Sequence, residues 1–313
     1  MLLGIKVGPQ KTSIPDLIAT GAPFCEVYLD INRLNEYDDL FDYLKTNRIE
    51  TGLHYWASVS DKIWSNIAYP DNRIINESMS LIQKTIDIAQ KSGFVYVNIH
   101  PGSRALVRFD MINQTFDLIK DPVPLNQSIS LFLENAAKLD AYAKARNIVL
   151  TIETVPARVT NYYWQKPRSE QTPINVYELP VEALYRAQNL GISIANDFGH
   201  TAASIVTDNL EAIRRHLFEA SKMLARSTRL IHLGFVAAPF NGTDFHDTLT
   251  NPVLDTDAAI PNKNQMFDLF KIFPENQKIW ILVEPNASHV ENYFAARKLL
   301  LKAGILDKIP GVR

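Results

Sequence analysis

Nine side chains able to ligate a metal recur along this chain: His54, His100, Glu153, Asp197, His200, His232, Asp244, His246 and Glu284. Imidazole and carboxylate donors together suit zinc, manganese or iron. Six of the nine close a short apolar run: ETGLHY, YVNIH, IVLTIE, SIAND, LIHL and IWILVEP. Five of the seven histidines belong to the set. One histidine at the end of an apolar run is ordinarily a satisfied core group. A succession of them at successive run ends points to one site assembled by the fold. Two spacings strengthen this. In Asp197-Phe198-Gly199-His200, the small Gly199 permits a tight turn that returns His200 toward the face of Asp197. In Asp244-Phe245-His246, alternate residues of an extended segment point the same way, so both can reach one ion. Nine ligands exceed the needs of one ion; two or three ions sharing a bridging carboxylate would use them.

The elements that must position these residues are legible as apolar runs. Eight read as strands: Leu3–Val7, Phe24–Leu29, Glu50–His54, Val95–His100, Val149–Glu153, Ile192–Asp197, Leu230–Leu233 and Trp280–Glu284. Their continuous apolarity and β-branched content suit a parallel sheet buried on both faces. Helical stripes lie between them. Met79, Ile82, Ile86 and Ala89 form one, ended by Gly93; Phe132, Ala136, Leu139 and Ala143 form another. Ser288 and Glu291 have the spacing of a capping box for the last helix, and Gly304 is placed to end it. Strand–helix alternation repeated eight times predicts an α/β fold, a single (β/α)8 TIM barrel over residues 1–313, with its site at the C-terminal ends of the strands.

Composition bounds the rest. At 313 residues and 46% hydrophobic, the chain can fill one large core. A formal net charge of −2 gives no global attraction for nucleic acid, although a local patch stays open. The single cysteine, Cys25, excludes an intramolecular disulfide and fits a cytoplasmic location. MLLGIKVGPQ is too short an apolar run for a signal peptide, and no run approaches the ~20 apolar residues of a membrane helix. No P-loop, dinucleotide fingerprint or GxSxG elbow suggests other chemistry.

Two connections exceed what a connector needs. Residues 55–75 carry Tyr55, Trp56, Trp64 and Tyr69; residues 154–180 carry Arg158, Tyr162, Tyr163, Trp164, Lys166 and Arg168. Enlarged loops after the third and fifth runs fall on the catalytic face of a barrel, where long loops tend to be functional. Tyr55, Trp56 and Trp164 are candidates for a substrate wall. Arg33, Arg104, Arg108, Arg158, Lys166 and Arg168 are candidates for phosphate contacts.

The ordered motifs resemble the endonuclease IV (AP endonuclease family 2) branch of the xylose isomerase-like barrels. His54 stands at the family's third-strand histidine, and Asn98-Ile99-His100-Pro101-Gly102-Ser103 is similar to its HPGS segment. Ile152-Glu153-Thr154, Asp197-Phe198-Gly199-His200, Ile231-His232-Leu233, Asp244-Phe245-His246 and Glu284 follow in the family's order. The resemblance runs from about Ile49 to Glu284. It implies three zinc ions: His54 and His100 on the first, Glu153 bridging to a second completed by Asp197, His232 and Glu284, and His200, Asp244 and His246 on the third. It further implies hydrolysis of a DNA phosphodiester beside an abasic site. The loop after His54 is longer than the family's, Arg33 near the family's DNA-inserting arginine has Asp30 and Glu36 about it, and Leu249-Thr250-Asn251-Pro252 replaces a glycine-bearing segment.

Two other classes compete. A single-metal sugar or sugar-phosphate isomerase or epimerase of the same superfamily would use Glu153, Asp197, His232 and Glu284, the two glutamates moving protons. A non-catalytic barrel would serve as a binding or partner protein. His54, His100, His200, Asp244 and His246 are surplus to a single-ion isomerase and favour the multinuclear hydrolase. The oligomeric state is not readable from the sequence.

Overall fold

A computed structural model describes residues 1–110, 112–162, 166 and 170–305. All eight apolar runs become strands of one parallel sheet. In chain order the strands are β1 (Leu2–Leu3), β2 (Ile5–Val7), β3 (Phe24–Asp30), β4 (Glu50–Trp56), β5 (Tyr96–Ile99), β6 (Leu106–Asp110), β7 (Thr115–Lys120), β8 (Val149–Glu153), β9 (Val159–Thr160), β10 (Pro173–Ile174), β11 (Ser193–Asp197), β12 (Thr228–His232) and β13 (Trp280–Leu282). The first run is split at Gly4. Its β1 half pairs with β13 and its β2 half with β3, so the two ends of the sheet meet and close a barrel. Helices α1 (Ser13–Thr20), α2 (Asp38–Thr46), α3 (Asn72–Ser92), α4 (Leu125–Lys144), α5 (Val181–Gln188), α6 (Phe198–Ala203), α7 (Leu210–Leu224) and α8 (Lys263–Phe270) lie between the strands, and α9 (His289–Lys302) follows the last one.

Strand alternation sorts the side chains. Cys25, Val27 and Leu29 of β3 pack outward, in one cluster with the apolar helix stripes, including Ile82, Ile86 and Ala89 of α3 and Phe132, Ala136, Leu139 and Ala143 of α4. Their neighbours Phe24, Glu26 and Tyr28 belong to the opposite, interior face. The cross-strand register then carries one layer round the barrel: Glu26 opposite Gly52, Gly52 opposite Tyr96, Tyr96 opposite Val149. Phe24, Tyr96, Ala195, Leu230, Trp280 and Leu282 form a separate buried cluster that plugs the floor. Two glycines make room for it. A Cβ at Gly52 would fall inside the Tyr96 ring, and one at Gly4 would strike Phe24. The polar interior residues therefore stand on a dry aromatic base, where charges interact more strongly than in water.

Three expectations need correction. Ser288 does not cap α9 through its side chain; it sits in the left-handed region at φ 59 and leaves the box unmade. Gly199 does not serve a turn. It lies inside α6, where the backbone of Gly234 and Phe235 comes too close for a free Cβ. The enlarged connections also include one after β5 that the residue pattern hid, because its hairpin β6–β7 alternates only weakly. That hairpin joins the connection after β4 through an Ile63–Arg108 bridge and the 154–180 segment through Asn161, which accepts from the Phe116 amide at 2.5 Å. Among the described residues, no helix is long and apolar enough to cross a membrane.

Candidate metal centre

The nine residues meet at one end of the barrel. Three groups, each with donor atoms within 4.8 Å of one another, are made of these residues alone: His54, His100 and Glu153; Glu153, Asp197, His232 and Glu284; and His200, Asp244 and His246; a fourth joins His54, His232 and Glu284 to Glu26. Glu153 belongs to two of them. Its Oε2 lies 3.4 Å from His54 Nε2, and its Oε1 lies 3.1 Å from His200 Nδ1 and 3.3 Å from His232 Nδ1. Asn98, two residues before His100 on the same strand face, donates to Glu153 Oε2 and is itself held by Thr151 Oγ1 at 2.8 Å. Asp197 caps α6 by accepting from the His200 amide at 2.7 Å, which fixes the spacing of the pair. His200 Nε2 faces Asp244 Oδ2 at 3.2 Å, and His246 Nε2 meets the same oxygen at 2.5 Å. His246 is aimed by its other nitrogen, 2.6 Å from the carbonyl oxygen of Glu284.

The residues fit divalent cations. His54 Nε2, both nitrogens of His100, His200 Nε2 and His232 Nε2 are buried and make no hydrogen bond, although carboxylate oxygens lie 3.2–3.4 Å from His54, His200 and His232. Buried polar atoms are ordinarily paired, so such atoms converging on one space mark a place for an electrophile. Burial raises the cost of charge on every carboxylate here. In Glu153 the imidazoles of His232 and His54 outweigh it and hold the carboxyl well below the ordinary range. In Glu284 burial is outweighed by His232 and Lys6, again lowering it. His100 has too little compensation, and burial pushes it down to about 3, which leaves a neutral imidazole, the form that ligates.

Beneath these groups lie two residues absent from the sequence candidates. Lys6 Nζ is 2.5 Å from Glu26 Oε1, in contact with Glu284 Oε1, and 2.6 Å from His54 Nδ1. Burial opposes its charge, but Glu26 and Glu284 raise its pKa above the usual lysine value. A charged residue in the middle of each of two apolar runs, GIKVG and FCEVYLD, buried but for half-buried Tyr28, was the available signal. A third, Glu178, lies in the connection after β8. Its segment is fastened to the one after His100 by Leu179 N–Gly102 O and Arg104 N–Tyr177 O bonds. Glu178 Oε2 is buried and unpaired, and burial pushes the carboxyl up to about 8.

The expected substrate contacts divide. Trp56 stands beside His100, ring centroids 5.0 Å apart, and stacks on Trp64 at 5.4 Å and 7°. Phe109 and Phe116 of the β6–β7 hairpin extend this wall. Tyr55, one residue out of phase with His54, belongs to the outer core cluster and donates to Ser65 Oγ at 2.8 Å. Arg33 forks onto Glu36, at 2.7 and 2.6 Å. Arg104 donates to Val123 O at 3.1 Å and lies over the Tyr177 ring. Arg158 donates to Asn241 O at 3.3 Å. Each of these three arginines thus has a partner within the chain. Trp164 and Arg168 lie outside the described residues.

No protein-family model matches the sequence. A curated relative, the probable endonuclease 4 of Thermotoga petrophila, is 27% identical over 150 residues, covering 42% of this chain and 50% of its own length. The match therefore spans half of that relative. The solved structure of endonuclease IV from Thermus thermophilus superposes with a TM-score of 0.55 at 14% identity, over 96% of this chain and 100% of that one. A D-tagatose 3-epimerase-like protein gives 0.62 at 14%, over 98% and 99%. The IolI protein with a bound zinc atom gives 0.64 at 12%, over 99% and 100%. The fold is the (β/α)8 barrel of these structures, an endonuclease IV and a sugar epimerase-like protein among them, and over 150 residues the sequence resembles a probable endonuclease 4.

Proposed function

We propose that this chain is a single-domain, cytoplasmic, multinuclear metal-dependent phosphoester hydrolase, with zinc as the expected ion and manganese or iron as alternatives. The observation that carries this is the third group, His200, Asp244 and His246, set beside two groups that share Glu153. A single-ion isomerase has no use for it. Bound divalent cations would stabilise charge on both the attacking and the leaving oxygen of a phosphoester. His54, His100 and Glu153 would hold the first, Glu153, Asp197, His232 and Glu284 the second, and His200, Asp244 and His246 the third. Glu153, fixed by Asn98, keeps two groups in register. Trp56 and Trp64 offer flat faces beside the first group for a sugar or base ring.

Duplex DNA with one abasic site is the first substrate to try, because the relative with matching sequence bears that family's name. Protein purified without chelators should carry two or three ions per chain and cleave it. One observation favours a second reading, an epimerase or isomerase of a small sugar or sugar phosphate. Arg33, Arg104 and Arg158 each donate to a partner within the chain, which draws part of their charge away from a polyanion. A metal-replete protein that leaves abasic DNA and other phosphoesters intact, yet epimerises ketoses, would decide for that reading.

A further inference from the structure

Glu26 is fully buried at the centre of β3 and faces two candidate ligands that belong to different groups. Its Oε1 lies 3.2 Å from His232 Nε2 and 3.5 Å from His54 Nδ1, a nitrogen that also has Glu284 Oε1 at 3.1 Å. The opposite nitrogen of each ring faces Glu153, at 3.3 Å for His232 Nδ1 and 3.4 Å for His54 Nε2. Each imidazole therefore spans from Glu26 on the floor to Glu153 at the level of the metal groups. Glu26 is itself anchored: Tyr96 donates its hydroxyl to Oε2 at 2.7 Å, and Lys6 holds Oε1 at 2.5 Å.

We propose that Glu26 is the outer-sphere carboxylate shared by His54 and His232, and that it couples the first and second metal sites. The proposal rests on the metal reading above. A ligating histidine offers one bare nitrogen and gives the hydrogen on the other to an acceptor, which sets tautomer and ring orientation. Here one carboxylate serves that purpose for two rings. For His54 the choice is sharp. If Nδ1 accepted from Lys6, its Nε2 would carry the hydrogen and could not bind a cation. With the Lys6 ammonium held by Glu26 Oε1, the Nδ1 hydrogen faces two carboxylates, Glu284 Oε1 at 3.1 Å and Glu26 Oε1 at 3.5 Å, and giving it to them leaves Nε2 bare. Lys6 also explains why Glu26 is not a ligand. Glu26, His54, His232 and Glu284 could themselves group round a cation, and the ammonium already contacts Glu26, His54 and Glu284 of that group. Glu26 is thus a positioning residue, acting through the two imidazoles.

The test is zinc affinity and stoichiometry, measured by competition with a chromogenic chelator on the full chain. Wild type, Glu26→Gln, Glu26→Asp and Tyr96→Phe are compared, with thermal melting of the metal-free proteins as the fold control. Glu26→Gln should weaken two of the three ions about 10–100-fold while sparing the third, and Glu26→Asp should recover part of the loss. Tyr96→Phe removes only one donor to Glu26 and should weaken the same two ions by a smaller factor; it decides the matter if Glu26→Gln melts abnormally. Two ions held at wild-type affinity in a folded Glu26→Gln, or a change confined to one ion, would overturn the coupling. Wild type that binds no zinc would sink the metal reading itself, whereas wild type that binds it beside unchanged variants sinks this inference alone.

Discussion

Glu153 Oε2 and His54 Nε2 face each other at 3.4 Å across the barrel mouth, although 99 residues separate them in sequence. The other oxygen of the same carboxylate faces His200 and His232. One side chain thus borders all three metal groups, whereas His54 borders the first alone at its free nitrogen. Glu153→Ala should therefore remove more than one ion per chain, and His54→Ala mainly one. Metal analysis of the two purified variants checks this. Equal single-ion losses would show that Glu153 does not bridge.

The floor beneath the site depends on the absence of one methyl group. Gly52 lies against the Tyr96 ring, which is wedged between Phe24 and Trp280 at centroid distances of 6.1 and 4.8 Å. The ring cannot turn aside, so Gly52→Ala should destabilise the fold by about 1–3 kcal/mol, the usual range for overpacking. It should also disturb the Tyr96 hydroxyl that holds Glu26. Chemical denaturation measures the first effect; an unchanged midpoint would mean that the floor is looser than this packing implies.

The barrel was legible because each strand had to be apolar on both faces, and such runs stand out from the amphipathic helices between them. Six of the nine candidate ligands were legible for the same reason: a polar residue that interrupts a buried run at its end must have a purpose. Lys6 and Glu26 interrupt their runs in the middle, and there the pattern was read past them. Knowing which face a strand residue takes requires the register, and register came only with the paired strands. The arginines show a different limit. Arg33, Arg104 and Arg158 fall on connections as expected, and each also donates to a partner within the chain, Glu36, Val123 O and Asn241 O, respectively. Position along the sequence gives a loop residue's neighbourhood and says nothing of its direction.

Glu178 predicts a pH dependence of stability in the metal-free protein. Burial pushes its carboxyl to about 8, against 4.5 for a free glutamate. Between those values the folded protein keeps a proton that the unfolded chain has released, so its contribution favours folding less as pH rises and is fully lost above about 8. Glu178→Gln cannot ionise and should gain on wild type in melting temperature from about pH 5 to about pH 8, then hold a constant advantage. Melting curves for the two proteins that stay parallel across this window would show that Glu178 has an ordinary carboxyl.

On the proposed reading, the third candidate group is what separates the two reaction classes. An isomerase needs one cation to polarise neighbouring oxygens and two carboxylates to move a proton, and Glu153, Asp197, His232 and Glu284 suffice for that. A phosphoester hydrolase gains from additional cations because charge develops on two oxygens at once. His246 is held at 2.5 Å from Asp244 and is aimed by the Glu284 carbonyl, yet it lies outside the group of Glu153, Asp197, His232 and Glu284. His246→Ala should therefore abolish cleavage of abasic duplex DNA while the protein keeps the ion of that four-residue group. Binding of the duplex by the wild type should weaken steeply with salt, as phosphate contacts release counterions. Cleavage that survives in His246→Ala at the wild-type rate would remove the third group from the chemistry and leave the four-residue group as the working centre.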